Sequence, residues 1–403
     1  MRIAMPDEVE WIIERIHAHG FEAFAVGGCV RDIILGREPE DWDITTSAEP
    51  AEIKRIFAKT IDTGLQHGTV TILKNHKGYE VTTYRIDGEY RDGRHPASVE
   101  FTRNLTEDLK RRDFTINAMA YSHETGIVDR FCGITDLYGR IIRCVGLAHD
   151  RFQEDALRIL RALRFSAQLD FSIEEATWQA ACELADSLSK VSKERVQTEL
   201  TKLLLSAHPE KIMLVEKAGL AEFVTGGFAE VFARAKERAG EAPFCGLYGL
   251  PQEKSVRWAG FLRYMTPAES VKILKGLKLD NETIDHVRVM TGGFCSPLAP
   301  EKTEIRRMLS RMTPGQFEGI LHLKAMEGDG SVHCIRKLWK EIVADGDCVR
   351  MKDLAVSGDD LLALGMKPGR ELGEALGFLF EQVIEKPKLN QKELLLEKLG
   401  KRR

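Results

Sequence analysis

Residues 27–46 constrain this chain more than any other stretch of it. They read Gly27-Gly28-Cys29-Val30-Arg31-Asp32 at one end and Asp41-Trp42-Asp43-Ile44-Thr45-Thr46 at the other. The largely apolar run 21–26 before them predicts a short buried strand. Two glycines follow at once and let backbone N–H groups approach a ligand where a Cβ would block it. A helix is expected over residues 29–35, ended by Gly36, its positive N-terminal end facing whatever rests on the glycines. The alternation of residues 41–46 predicts a second strand. On a strand Asp41 and Asp43 point to one face, roughly 6–7 Å apart. Paired carboxylates repel unless a cation sits between them, so Asp41 and Asp43 are candidate ligands of a divalent metal. A phosphate cradle beside such a pair is equipment for moving a nucleotidyl or phosphoryl group.

Length and composition limit the setting. At 403 residues the chain has room for about two to four domains. Its formal net charge of -4 means that any nucleic-acid contact relies on local basic patches. The eight cysteines are scattered without a C-x-x-C pair, so neither a zinc site nor a redox motif is expected, and unpaired thiols fit a reducing cytosol. Asp7, Glu8 and Glu10 stand where a signal peptide would be apolar or basic, and no apolar run reaches transmembrane length. A cytoplasmic protein with no membrane partner is expected.

Along the chain, Val9, Ile12, Ile13 and Ile16 recur at helical spacing, closed by Gly20. Residues 50–58 predict a short helix, and 69–73 and 79–84 predict strands joined by a polar turn at 75–78. Glu80, on the second of these, is a candidate third carboxylate near the metal. Residues 87–96 are polar and glycine-punctuated and are expected to form a mobile loop. In Arg111-Arg112-Asp113-Phe114-Thr115-Ile116-Asn117-Ala118, two arginines can neutralise a triphosphate. A last strand and helix are expected over 127–131 and 133–142, after which strand signals thin out. One helix is expected over 150–167, with Phe152, Ala156, Ile159, Leu160 and Leu163 on its apolar side. Asp155, Arg158, Arg161 and Arg164 form its polar stripe. The remainder reads as helical with polar breaks near 206–209, 239–252 and 296–303, and 357–373 predicts a helix, a glycine turn and a second helix start.

In this order the motifs resemble the signatures of class II nucleotidyltransferases, the tRNA CCA-adding and poly(A) polymerase family. The first signature is Gly-Gly, Val-Arg-Asp, Gly-Arg and Asp-x-Asp with a Thr. The second is Arg-Arg-Asp-Phe-Thr-x-Asn-Ala. Glu154, Asp155 and Arg158 resemble the Glu-Asp-x-x-Arg motif, and Lys193-Glu194-Arg195 with Glu199 and Lys202 resemble a fifth, whose salt bridges would brace the nucleotide helix. The resemblance covers residues 21–205, and 357–373 more loosely resembles the tail of bacterial CCA-adding enzymes. It implies an α/β head with a mixed sheet and flanking helices at 1–145, then an all-α neck (146–206), body (207–300) and tail (301–403). It further implies Mg²⁺ on Asp41 and Asp43, CTP and ATP as substrates, and the 3′ end and acceptor region of tRNA as partner. A second copy of the chain is a further candidate partner. Gly28, Arg31 and Arg112 would hold phosphate oxygens, with Gly27, Asp113, Asn117 and Glu154 as supporting site residues. Backbone amides at Gly369 and Arg370 are candidates to meet an RNA phosphate.

Base choice follows from edges. Cytosine and adenine each offer an amino donor beside a ring-nitrogen acceptor, whereas guanine and uracil reverse the order. An Asp acceptor beside an Arg donor matches the first two. Asp155 and Arg158, one helical turn apart, supply that pair, with Arg161 and Arg164 positioning the helix and contacting base or phosphates. The expected activity is untemplated addition of CCA to tRNA, by in-line attack of the RNA 3′-hydroxyl on the nucleotide α-phosphate with release of pyrophosphate. A-adding and CC-adding specialists and poly(A) polymerases are the alternatives within the family. CC-adding relatives have a shortened loop, whereas 87–96 is full length. Poly(A) polymerases carry an arginine-rich segment that Gly36-Arg37-Glu38-Pro39-Glu40 lacks. A non-catalytic RNA-binding protein on the same scaffold is the alternative from another class, and intact Asp41 and Asp43 oppose it.

Overall fold

The computed structural model describes residues 3–88 and 98–400. The chain divides into two compact units, Met1–Phe232 with Gly276–Lys278, and Ala233–Lys275 with Leu279–Arg403.

The first unit opens on α1 (Asp7–His17), which buries Val9, Ile12, Ile13 and Ile16 and carries acids in its first turn and bases in its last, as the helix dipole favours. β1 (Ala23–Val26) is buried along its whole length. There follow α2 (Gly28–Ile34), β2 (Ile44–Thr46), α3 (Pro50–Ile56), β3 (Thr60–Gly64), β4 (Thr69–Lys74) and β5 (Lys77–Thr83). Next come β6 (Arg85–Asp87), β7 (Val99–Phe101), α4 (Leu105–Lys110), β8 (Met119–Ser122), β9 (Gly126–Asp129) and α5 (Gly133–Gly139). Seven strands form one mixed sheet in the order β3-β4-β5-β2-β1-β8-β9. Within it β2 and β5 run parallel, Ile44 opposite Val81, and every other neighbour is antiparallel. β1 and β2, which carry the first motif, therefore lie at the centre, with helices flanking.

Several boundaries differ from the sequence-based expectation. The β4–β5 connection is a two-residue turn at Asn75 and His76, both at positive φ, whose twist suits a tight hairpin better than the four-residue turn expected. β6 and β7 form a separate ribbon, with Gly88 N donating to Ser98 O at 2.9 Å. Beyond Gly88, the loop expected at 87–96 lies outside the described residues. β3 is largely exposed and lacks the alternation that would mark it, and β8 is hidden in the apolar end of the second motif.

The helical part of the first unit contains α6 (Ala148–Glu154), α7 (Leu157–Leu169), α8 (Glu175–Glu183) and α9 (Lys193–Leu204), with α7 packed on α9. The single helix expected over 150–167 is thus two. The backbone of Asp155 is extended (φ -148, ψ 103), and its Oδ1 accepts the Leu157 N–H at 3.1 Å. A short Asp side chain offers the backbone an alternative to the helix ladder, and here it takes it.

The second unit is helical, including Asn281–Cys295, Lys302–Leu309, Pro314–Met326, Val332–Ala344 and Arg370–Glu385. One of its cores gathers Ile305, Phe317, Leu321 and Ile335, with Phe317 edge-on to Trp339 at 5.1 Å. Another gathers Leu361, Leu379, Val383 and Leu395. Buried Arg306 donates to Ile384 O at 2.7 Å and to Asp347 at 2.8 Å. Gly365 and Gly369 take positive φ at the turn before Arg370–Glu385. All eight cysteines are free thiols, and among the described residues no helix is long and apolar enough to cross a membrane.

Candidate active site

β1 gives way to Gly27, which takes φ 81 and ψ -126, a conformation that glycine adopts readily and a side chain with a Cβ does not. An added Cβ there would also stand 3.1 Å from Arg112 Nη1. Gly28 differs: an added Cβ would meet only Arg31 Nη2 at 3.7 Å, an ordinary contact. The fold therefore demands glycine at 27, while at 28 glycine leaves space beside the backbone. Arg31, buried at the start of α2, donates to both Asp32 carboxylate oxygens at 2.8 and 2.9 Å and to Asn117 Oδ1 at 2.7 Å.

Asp41 and Asp43 do not lie on a strand. β2 begins only at Ile44, so the spacing expected of strand residues does not apply. The segment is anchored instead by Val26 N donating to Asp43 O at 2.9 Å. Both side chains are exposed and line a cleft of about 740 Å³ with Glu80, Lys77 and Tyr79. Partial desolvation raises the pKa of Asp43; Arg112 opposes the shift and Asp41 adds to it. Among the described residues no group of three or more His, Cys, Asp or Glu side chains is arranged to hold a metal. Glu80 thus shares the cleft without completing a three-carboxylate set. Two hard oxygen donors alone suit an ion such as Mg²⁺, which keeps waters and takes substrate phosphates as its other ligands.

Arg111, Arg112 and Asp113 follow α4. Asp108, fully buried, accepts Arg111 Nε at 3.0 Å, Arg111 Nη2 at 2.8 Å, Thr45 Oγ1 at 3.2 Å and Arg112 Nη2 at 3.4 Å. Burial works against its charge, but the two arginines outweigh it and hold the carboxyl below its usual range. Its contribution to stability is therefore present at neutral pH and is lost on acidification from about pH 4 downward. Asp108→Ala removes the buried carboxylate that Arg111 and Arg112 share and is expected to lower the unfolding free energy by about 3–5 kcal/mol, read from urea titration at pH 7. A loss under about 1 kcal/mol would mean that the arginines find other partners. Arg112 Nε is buried with no hydrogen-bond partner among the described residues.

Asp113 joins the sheet to α7. It accepts Asn117 Nδ2 at 3.1 Å and Arg161 Nε at 2.8 Å. Burial opposes its charge, yet Arg161 and the Asn117 bond hold it well below the usual carboxylate range. Arg164 donates to Glu199 at 2.5 Å and Gln168 at 2.6 Å. Asp155 and Arg158 are not each other's side-chain partners. Asp155 takes both Nη groups of Arg195, at 3.2 and 2.6 Å. Arg158 donates to Glu154 at 2.7 Å and to Arg111 O at 3.1 Å. The break at Asp155 is the cause, since it removes that residue from the turn that would have faced Arg158. Asp108 was missed from sequence because it reads as one more acid on a charged helix.

Three family models match the chain: the Poly A polymerase head domain over residues 23–143, a segment of polymerase A over 170–230, and tRNA nucleotidyltransferase domain 2 over 251–399. The sequence is 38% identical over 400 residues to the CCA-adding enzyme of Enterococcus faecalis, covering 97% of this chain and 95% of that protein. It is 40% identical over 392 residues to the CCA-adding enzyme of Latilactobacillus sakei, covering 96% of each. The crystal structure of the Bacillus stearothermophilus CCA-adding enzyme in complex with CTP is similar with a TM-score of 0.86 and 32% identity over 99% of both chains. The Thermotoga maritima CCA-adding enzyme complexed with tRNA shares the fold, with a TM-score of 0.65 at 20% identity.

Proposed function

Because the chain belongs to the CCA-adding enzyme family and is a nucleotidyltransferase, we propose that it builds or repairs the 3′-terminal CCA of tRNA from CTP and ATP without a nucleic-acid template. The observation that carries this is the cleft lined by Asp41 and Asp43, with the Asp43 carbonyl bonded to Val26 N just before the glycine turn and Arg112 beside Gly27. Asp41 and Asp43 would hold Mg²⁺. A metal held by these carboxylates would supply a lowered pKa at the RNA 3′-hydroxyl and positive charge against the triphosphate. The backbone at Gly28, with Arg31 and Arg112, binds phosphate oxygens and orients the α-phosphate for in-line attack. Asp155 and Arg158 read the base edge. Arg161 ties α7 to Asp113 on the sheet side, and Arg164 ties it to Glu199 on α9. The division into head, neck, body and tail at residues 145, 206 and 300 belongs to this proposal, as does contact of the Gly369 and Arg370 amides with RNA phosphate. So does a cytoplasmic setting, which the free thiols suit.

The test is direct. Purified protein, Mg²⁺, labelled CTP and ATP, and a tRNA ending at its discriminator base should yield a product longer by C, C and A. A product that stops after two C residues, a tRNA that accepts only A, or an extended poly(A) tail would each select a different family member. No incorporation at all would leave an RNA-binding protein.

The loop at 87–96 gives a further expectation. Asp87, at its base, lies 3.9 Å from Arg111, whose carbonyl holds Arg158. This links the loop to the base-reading arginine in two steps. C and A share an edge pattern but differ in size, so the pocket must adjust between them, and the glycines at 88 and 93 suit a lever. Deleting residues 89–94 is expected to leave tRNA ending in CC as the main product. Assays on tRNA, tRNA-C and tRNA-CC separate the steps, and equal losses at each would make the loop a general structural element.

A further inference from the structure

One buried ring gathers three of the site's cations. Phe165 on α7 is 5% exposed, and the guanidinium carbons of Arg164, Arg31 and Arg161 lie 3.9, 5.1 and 5.5 Å from its centroid. Phe114 meets it edge-on at 5.8 Å. The cations come from two helices: Arg31 from α2, beside the glycine turn, and Arg161 and Arg164 from α7. Guanidinium groups brought this close repel one another in a poorly solvated site. Asp32, Asp113 and Glu199 each answer one of them. A further carboxylate at position 165 would hold the arginines but set more negative charge against a triphosphate. An aliphatic side chain would fill the space without attracting them. An aromatic face attracts cations through its quadrupole while carrying no net charge.

We propose that Phe165 is a positioning residue that holds Arg31, on the phosphate side, at a fixed distance from Arg161, on the base side. A nucleotide then meets cations whose relative position is already fixed. This rests on the nucleotide-binding reading above. A second route joins the same two arginines: Arg31 Nη1 donates to Asn117 Oδ1 at 2.7 Å, Asn117 Nδ2 to Asp113 Oδ1 at 3.1 Å, and Arg161 Nε to Asp113 Oδ2 at 2.8 Å. Ring and chain close a circuit, so α2 and α7 hold one relative position. Asp113 and Asn117 set that position through directional bonds, and Phe165 sets it through a face that leaves the remaining N–H donors of the arginines unspent.

The experiment replaces Phe165 by 4-fluoro-, 3,5-difluoro- and 3,4,5-trifluorophenylalanine, which weaken the face stepwise at nearly constant volume, and by Phe165→Leu. Calorimetry gives the Kd of CTP, ATP and inorganic tripolyphosphate, urea titration gives stability, and steady-state assays on tRNA-CC give kcat and KM. The expected result is a log Kd for all three anions that rises in step with fluorination. Phe165→Leu should weaken each by about tenfold and raise KM with little change in kcat, the signature of lost uniform binding. An affinity for tripolyphosphate that stays flat across the fluorinated series overturns the proposal, whatever happens to stability. The fluorinated proteins carry the test if Phe165→Leu does not fold. A wild-type protein that binds these anions yet adds nothing to tRNA would defeat the activity reading alone, and the ring would still be judged by the binding series.

Discussion

Alanine at Asp41 or Asp43 is expected to lower incorporation of both C and A by on the order of a thousandfold or more, with the fold unchanged. Both side chains are exposed, so their removal leaves no cavity and no orphaned partner in the core. The unfolding midpoint should therefore stay within about 0.5 kcal/mol of wild type. Activity should fall because each substitution removes a negative oxygen ligand from the cleft, which a guanidinium such as that of Arg112 cannot replace. Asp→Asn at either position makes the stricter test, since it keeps size and one acceptor oxygen while removing the charge. Near wild-type turnover in either variant at saturating Mg²⁺ would remove the metal-site reading. Loss of C addition with A addition retained would assign the pair to base choice instead.

Base choice itself should fail when Asp155 or Arg158 is replaced. A carboxylate has about four acceptor positions. Asp155 has filled three of them, with Leu157 N and the two Nη groups of Arg195, so one remains for a base amino group. Arg158 spends its Nη1 group on Glu154 and Arg151 O and one Nη2 hydrogen on Arg111 O, which leaves Nε–H and one Nη2 hydrogen. On the proposed reading, the residual donors and acceptor would match cytosine and adenine, and a mismatched base would bury unpaired groups at about 1–3 kcal/mol each. Asp155→Ala and Arg158→Ala should thus raise UTP and GTP incorporation relative to CTP and ATP by on the order of ten- to a hundredfold. Arg195→Ala should do the same more weakly, because it frees the Asp155 carboxylate to turn. Unchanged discrimination in both Asp155→Ala and Arg158→Ala would mean that the base is read elsewhere.

Much of this site was legible before the fold was known, for a physical reason. Gly27, Gly28, Arg31 and Arg112 carry local signals: a glycine pair after an apolar run, and adjacent arginines at a helix end. What escaped depends on tertiary partners. The strand expected through Asp41 and Asp43 starts only at Ile44, where the ladders with β1 and β5 begin, and a single bond from Val26 N reaches back to Asp43 O. The break at Asp155 is invisible to periodicity, since Ile159, Leu160 and Leu163 continue the apolar pattern beyond it. Asp108 reads as a solvated acid and lies at 0% exposure. Phe165 reads as one more core position, and nothing within α7 reveals that Arg31 approaches it from another helix.

The first unit is also discontinuous in the order of its synthesis. Gly276 sits so close to Thr225 that a Cβ would overlap its Oγ1, and Lys278 donates to Glu194 at 2.6 Å, yet residues 233–275 between them and Phe232 belong to the other unit. On a ribosome adding about 5–20 residues per second, these closing contacts become possible only several seconds after Phe232 is made. During that interval the nascent first unit waits without its last three residues. Early termination or cleavage after Phe232 would leave it in that unfinished state permanently, and exchanging whole units between related genes would require three junctions instead of one.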